Sequence, residues 1–324
     1  MNILLTAINA KYIHSNLAVY SLRACAGEYR DAVELAEYTI NNQKDYILEE
    51  LYKRKPDVLC FSCYIWNIDY VTDIAREYKK LCPSVPIWVG GPEVSYEVEA
   101  FLRENPYIDG VMIGEGEDTF RELCGYYAHK RKLSDIAGIA FRKHSTGNST
   151  SVNNIGGNKA GEIVFTSPRP IKNMSEIPFC YDTLDDFSNR IIYYESSRGC
   201  PFSCSYCLSS VDKTLRFRDT EIVKRELKFF IDQKVPQIKF VDRTFNCNHA
   251  HAMELWRFIK ANDNGVTNFH FEISADLLNQ EELELISDMR PGLIQLEIGV
   301  QSTNEVTIKE IHRTMKLERL KEVV

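Results

Sequence analysis

Cys200, Cys204 and Cys207 stand in the run Arg198-Gly199-Cys-Pro-Phe-Ser-Cys-Ser-Tyr-Cys-Leu208, directly after a β-branched and aromatic stretch. Thiols at this Cys-x3-Cys-x2-Cys spacing fall on one tight loop, enough to hold three irons of a cubane [4Fe–4S] cluster and leave the fourth without a protein ligand. An iron left open is a binding place for a substrate or cofactor. Structural zinc is the competing chemistry, but it takes four nitrogen or sulfur ligands in paired groups and closes its site. No second pair follows at such a spacing, and nothing marks His249 or His251 as a fourth ligand. Inert thiols are the remaining reading.

The other cysteines carry less chemistry. Cys60 and Cys63 lie within Asp57-Val-Leu-Cys-Phe-Ser-Cys-Tyr-Ile, a run of strand character that sets the two sulfurs on opposite faces of a pleat and disfavours a shared metal. Cys25, Cys82, Cys124, Cys180 and Cys247 read as small buried or incidental residues. Ten cysteines, some of them metal-binding thiolates, fit a reducing compartment, so a cytoplasmic location is expected.

The elements that would position these groups alternate strand and helix. In the first part strands are expected at Asn2–Ala7, Ala32–Tyr38, Asp57–Cys63, Pro86–Gly90 and Ile108–Ile113, with helices between them. Five such units predict a flavodoxin-like, doubly wound parallel sheet, whose ligands bind beyond the carboxyl ends of the strands. The loops there carry Asn9 to Asn16 with His14, then Ser62 to Asn67, Gly90-Gly91-Pro92-Glu93 and Gly114-Glu115-Gly116-Glu117. Paired glycines let a flat ligand approach the backbone closely. Two further strands, Ile136–Arg142 and Glu162–Thr166, flank a polar span expected to be a disordered hairpin tip, and a proline-marked linker follows.

From Arg190 the alternation resumes, with strands at Ile191–Ser197, Gln237–Val241, Asn268–Ser274 and Leu293–Gly299 and helices at Thr220–Gln233, His249–Asn262 and Gln280–Met289. Parallel strands with crossover helices around one axis make a (βα) barrel whose chemistry collects at the strand carboxyl ends. Those ends present Asp242, Glu272, Ser274, Glu297 and Gln301.

Composition narrows the class. A chain of 324 residues predicts two domains, and a net charge of −7 with pI near 5.6 shows no evident nucleic-acid surface. No stretch approaches a membrane-spanning length, and no basic leader with a cleavage site precedes the first strand.

The run Arg198 to Leu208 resembles the cluster loop of radical S-adenosylmethionine (SAM) enzymes, in the branch with an N-terminal cobalamin (B12)-binding domain. The resemblance covers essentially the whole chain. It implies Cys200, Cys204 and Cys207 as [4Fe–4S] ligands and SAM chelating the open iron. Cleavage of SAM by electron transfer to a 5′-deoxyadenosyl radical is the chemistry that follows. Tyr206 takes the place of the aromatic beside the adenine; Glu272, Ser274, Glu297 and Gln301 take polar positions toward SAM, with Asp242 a further candidate. Ser274 departs from the arginine that relatives often carry, which leaves the carboxylate partner of SAM open. For cobalamin the resemblance points to Ser62, Gly90, Gly91, Gly114, Glu115 and Gly116. The Asp-x-His-x-x-Gly motif that supplies a lower axial histidine is absent around His14, so cobalamin without a protein histidine, or a fold that has lost the cofactor, is expected.

The expected fold class is thus α/β, with a flavodoxin-like sheet over 1–135, a hairpin and linker over 136–185, and a partial radical-SAM barrel of four βα units over 186–324. The implied function is reductive cleavage of SAM for methyl transfer or another radical transformation, with an electron donor such as flavodoxin or ferredoxin as partner. A radical SAM enzyme without cobalamin, and a non-catalytic Fe–S or cobalamin binding protein, are the alternatives. Four strands where such barrels have six, and an uncapped amphipathic end, give the expectation of a fragment of a longer protein.

Overall fold

The computed structural model describes residues 1–143, 161–211 and 213–323. The chain forms two compact units, one of Met1–Lys172 with Ile177–Leu184, the other of Asn173–Glu176 with the chain from Asp185 onward.

In the first unit β1 (Ile3–Asn9), β2 (Val33–Thr39), β3 (Val58–Ser62), β4 (Ile87–Gly90) and β5 (Gly110–Met112) form a parallel sheet in the order β2-β1-β3-β4-β5. This is the flavodoxin-like order expected. Every residue of β1 and β3 is buried, as strands covered on both faces require. Helices α1 (Leu17–Cys25), α2 (Lys44–Arg54), α3 (Ile68–Leu81), α4 (Val98–Glu104) and α5 (Glu117–Tyr127) supply the covering faces. On α3, Val71, Ile74, Ala75 and Tyr78 recur at helical spacing and enter a core with Leu4, Ile8, Leu59, Phe61 and Val89.

The two strands expected on either side of the hairpin tip join the first sheet. β6 (Ile139–Arg142) pairs antiparallel with β5 and β7 (Ile163–Phe165) with β6, extending the sheet to seven strands. The edge of β5, with its open row of N–H and C=O groups, gains a partner this way. The expected hairpin tip lies, apart from Lys143 and Gly161, outside the described residues.

In the second unit β8 (Ile192–Tyr194), β11 (Gln237–Phe240), β12 (Asn268–Ile273) and β13 (Ile294–Ile298) form a parallel sheet in the order β13-β12-β11-β8. Helices α6 (Thr220–Asp232), α7 (His249–Ala261) and α8 (Gln280–Ser287) are the crossovers. Asp219 caps α6, and Asn279 with Glu282 forms a capping box on α8. The aromatic core is Phe240, Phe245, Trp256 and Phe271, with Phe245 and Phe271 centroids 4.3 Å apart. The strand expected at Ile191–Ser197 is broken: after β8 the chain turns at Glu195–Ser196, then pairs β9 (Ser197–Arg198) antiparallel with β10 (Arg216–Phe217). The end of the chain forms two short helices, α9 (Glu305–Glu310) and α10 (Leu317–Val323), with His312 in the left-handed region between them.

Candidate cofactor sites

The β9–β10 pair is the root of the cysteine loop. Gly199 at its base has φ +95°, and a Cβ there would lie 2.5 Å from the Thr214 carbonyl oxygen, so glycine lets the two sides of the loop close. Cys200 and Cys204 are buried, Cys207 is partly exposed, and none is in a disulfide. Three free thiols on one loop fit an iron–sulfur cluster in type and number. Among the described residues no three Cys, His, Asp or Glu side chains are gathered about one point as a single ion would need. Ligands that each take a different iron of a cube have no such need.

A strap from the chain's tail crosses this loop. Ser205 N–H donates to the Ile311 carbonyl at 2.9 Å. Arg313 donates through Nη1 to the Tyr206 hydroxyl at 3.0 Å and through Nη2 to the Gly299 carbonyl, at the carboxyl end of β13. Its Nε is buried with no hydrogen-bond partner among the described residues. Gln301 adjoins, with φ +58°, its amide folded back over Gly299. Tyr206, Gln301 and Arg313 are therefore brought to one place. Nothing in the sequence singled out Arg313, because an arginine in an amphipathic tail reads as a surface residue.

Glu272 and Glu297 form a second group, on the sheet face opposite the aromatic core. Lys239 reaches Glu297 at 2.7 Å and Glu272 at 3.6 Å, and His270 Nε2 lies 3.0 Å from Glu297. The Lys239 ammonium holds the Glu297 carboxyl below its ordinary range, while burial lowers His270 and keeps its ring neutral. Lys239 and His270 were missed in the sequence, where only strand ends were read. Ser274 is turned away from this group: its hydroxyl donates to Asp276 at 2.7 Å and its backbone is clasped by Asn246.

Asp242 is fully buried, and both oxygens are occupied by Ser196 and Ser197. No face of its carboxylate is left for a ligand.

In the first unit the strand ends form a crevice built on buried polar groups. Glu37 accepts from Asn9 Nδ2, the Asn16 N–H and the Tyr20 hydroxyl at 2.6–2.9 Å, fixing the β1–α1 loop. Asn67 donates to the carbonyls of Ile8 and Ser62 and accepts from the Tyr64 N–H. The Ser62 hydroxyl accepts from Asn16 Nδ2 at 3.1 Å, which leaves its own proton to be donated.

The glycines of the crevice differ. Gly91, at φ +122°, has no room for a Cβ, which would collide with the Cys63 carbonyl. A Cβ on Gly114, at φ +75°, would meet nothing within 4 Å, so the open space lies there. Gly116 lets α5 approach Leu22, and Glu115 accepts from the Lys172 N–H at 3.0 Å. Tyr64 and Trp66, in the loop after β3, stack at 4.4 Å with Trp66 46 % exposed, and Ile65, Tyr12 and Tyr96 on the strand-end loops are exposed too. Burial raises the thiol pKa values of Cys60 and Cys63, so both stay protonated and are core residues in effect.

Two family models match the chain, the B12 binding domain over residues 3–124 and the radical SAM superfamily over 194–324. An uncharacterized methyltransferase of Pyrococcus horikoshii is 31 % identical over 64 % of this chain and 44 % of its own length. The cobalamin-dependent radical SAM methyltransferase TokK of Streptomyces tokunonensis is 29 % identical over 71 % of this chain and 33 % of its own. Among solved structures, the cobalamin-dependent SAM radical enzyme OxsB with aqua-cobalamin and SAM bound superposes with a TM-score of 0.75 at 17 % identity, covering 98 % of this chain and 46 % of that one. The chain thus spans less than half the length of these relatives. Its two matched regions coincide with the crevice sheet and the thiol-bearing sheet, and the chain carries a B12-binding domain followed by a radical SAM domain.

Proposed function

We propose that this chain is the cofactor-holding part of a cobalamin-dependent radical SAM enzyme that methylates, or otherwise transforms by radical chemistry, a substrate not yet identified. The observation that carries this reading is the coexistence of a three-thiol loop strapped by Arg313 with a glycine-lined B12-type crevice. Cys200, Cys204 and Cys207 would hold the cluster. The guanidinium of Arg313, with Nε unpartnered, would take the SAM carboxylate that Ser274 is in no position to bind. Ionised Glu297, with Glu272 and Gln301, would accept from the amine or ribose hydroxyls, and Tyr206 would flank the adenine. In the crevice Ser62 would donate a hydrogen bond and Gly114 would admit the ligand to the backbone. Trp66 offers an apolar face rather than a metal ligand, in keeping with the absence of an axial histidine motif.

When bound, the cluster, SAM and cobalamin supply an electron, a cleavable sulfonium and a methyl carrier; the protein's part is to hold and orient them. Such a protein needs a reductant and a substrate. A small flavodoxin or ferredoxin and a cytoplasmic setting are consistent with the reduced thiols. Among the described residues no helix is long and apolar enough to cross a membrane.

The test is anaerobic reconstitution of the chain with iron, sulfide and hydroxocobalamin, followed by SAM and a strong reductant. S-Adenosylhomocysteine or 5′-deoxyadenosine should form. Formation without bound cobalamin would favour the cobalamin-free alternative, and cofactor binding without either product would favour a binding protein.

A further inference from the structure

The break after β8 has a cause in the second strand of the sheet. Asp242, just past the end of β11, is fully buried and accepts from the Ser196 N–H at 3.0 Å, the Ser196 hydroxyl at 2.7 Å and the Ser197 hydroxyl at 2.5 Å. Since the Ser196 proton goes to Asp242, His251 Nε2, 3.1 Å from Ser196 Oγ, is the donor in that contact. The His251 ring is packed against Phe217 of β10, and the Arg218 N–H donates to the Ser196 carbonyl at 2.8 Å. Both sides of the cysteine loop's root are therefore tied, directly or by way of Ser196, to a single carboxylate.

We propose that Asp242 is a positioning residue of the cluster site: through Ser196 and Ser197 it fixes where the chain leaves the sheet toward Cys200, and it places a negative charge beneath the cluster loop. The proposal rests on the cluster reading above. Burying a carboxylate is costly unless donors compensate, and three donors from two adjacent residues are a concentrated compensation. A neutral side chain could pack this corner at similar or less cost, so the buried charge by itself is no argument for stability. Ser197, whose hydroxyl bonds Asp242, stands three residues before Cys200, which puts that charge at the root of the loop. A fixed negative charge opposes electron uptake, and groups that orient ligands from behind typically contribute about 10–100-fold to metal affinity.

The experiment compares the reconstituted chain with Asp242→Asn and Ser197→Ala by iron content, rate of iron loss to a chelator, and redox titration followed by electron paramagnetic resonance. Asp242→Asn should titrate at a more positive potential and lose iron about tenfold faster. Ser197→Ala keeps the charge and two of three donors, so it should lose iron faster with an unchanged potential. The same potential and chelation rate in all three proteins would overturn the proposal. If Asp242→Asn does not fold, Ser196→Ala combined with Ser197→Ala decides: faster loss at unchanged potential supports the clamp, and unchanged loss refutes it. Absence of iron from the unsubstituted chain would instead count against the cluster reading itself.

Discussion

Arg313 donates to the Tyr206 hydroxyl at 3.0 Å, joining the tail of the chain to the middle of the cysteine loop. The same guanidinium reaches the Gly299 carbonyl, so loop, fourth strand and tail meet at one planar cation. A charge-assisted bond from this fork to a carboxylate is worth about 1.5–3 kcal/mol. Arg313→Ala should therefore weaken SAM binding by roughly 10–100-fold in equilibrium dialysis with the reconstituted chain. Arg313→Lys should recover only part of this, since an ammonium cannot bridge three acceptors in a plane. Tyr206→Phe, which removes only the hydroxyl, should have the smallest effect. Equal SAM affinity in Arg313→Ala and the unsubstituted chain would remove Arg313 from the site.

The thiols separate by the same reasoning. Alanine at Cys200, Cys204 or Cys207 should strip the brown chromophore from the reconstituted chain, because each thiolate would hold its own iron. Cys247→Ser should leave it intact. Burial pushes the Cys247 thiol up to about 11, the state of a residue that packs rather than ligates. Iron content that survives in a triple alanine variant would show that the cluster is held elsewhere.

Much of this was legible in the sequence because it is written in local patterns. The cysteine spacing, the largely apolar β1 and β3 and the glycine pairs after β4 and β5 each signal their state within a few residues. The 2-1-3-4-5 order followed from the alternation of strand and helix. What was not legible depended on partners far apart in the chain. Asp242 read as a strand-end carboxylate that could serve a ligand or the barrel interior equally, and only the fold reveals Ser196 and Ser197 closing over it. Arg313 had no periodic or motif signal. The hairpin's addition to β5 was hidden because an edge strand's need for a partner is a property of the sheet, not of Gly110–Met112.

The two strand-end glycines should fail differently when substituted. Gly91→Ala places a Cβ against backbone that cannot move aside, at a φ that L-residues avoid, and should cost about 2–4 kcal/mol in urea unfolding. At Gly114 a Cβ meets nothing within 4 Å, so the cost of Gly114→Leu to the fold is chiefly the φ penalty, about 1 kcal/mol. Its side chain would occupy the open space of the crevice, so the spectral shift of hydroxocobalamin on binding should be lost while the fold remains. Retained binding in Gly114→Leu would place the ligand elsewhere.

Asp242 and His251 share Ser196 and oppose each other in acid. Burial pushes the Asp242 carboxyl up to about 6 from its ordinary 3.8, so between these values the folded chain binds more protons than the unfolded one, and stability falls as pH rises. Burial pushes His251 down to about 4 from 6.5, so there the unfolded chain binds more, and stability falls as pH drops. Each effect is on the order of 3 kcal/mol when fully developed, and over pH 4–6 the two nearly cancel. Removing either partner should expose the other. The cluster-free Asp242→Asn chain should lose stability from pH 6.5 to 4.5 more steeply than the unsubstituted chain. His251→Gln should do the reverse, losing less on acidification. Urea midpoints at the two pH values measure both, with all other carboxylates common to the three proteins. Parallel pH profiles in all three would mean that neither group changes its protonation on folding.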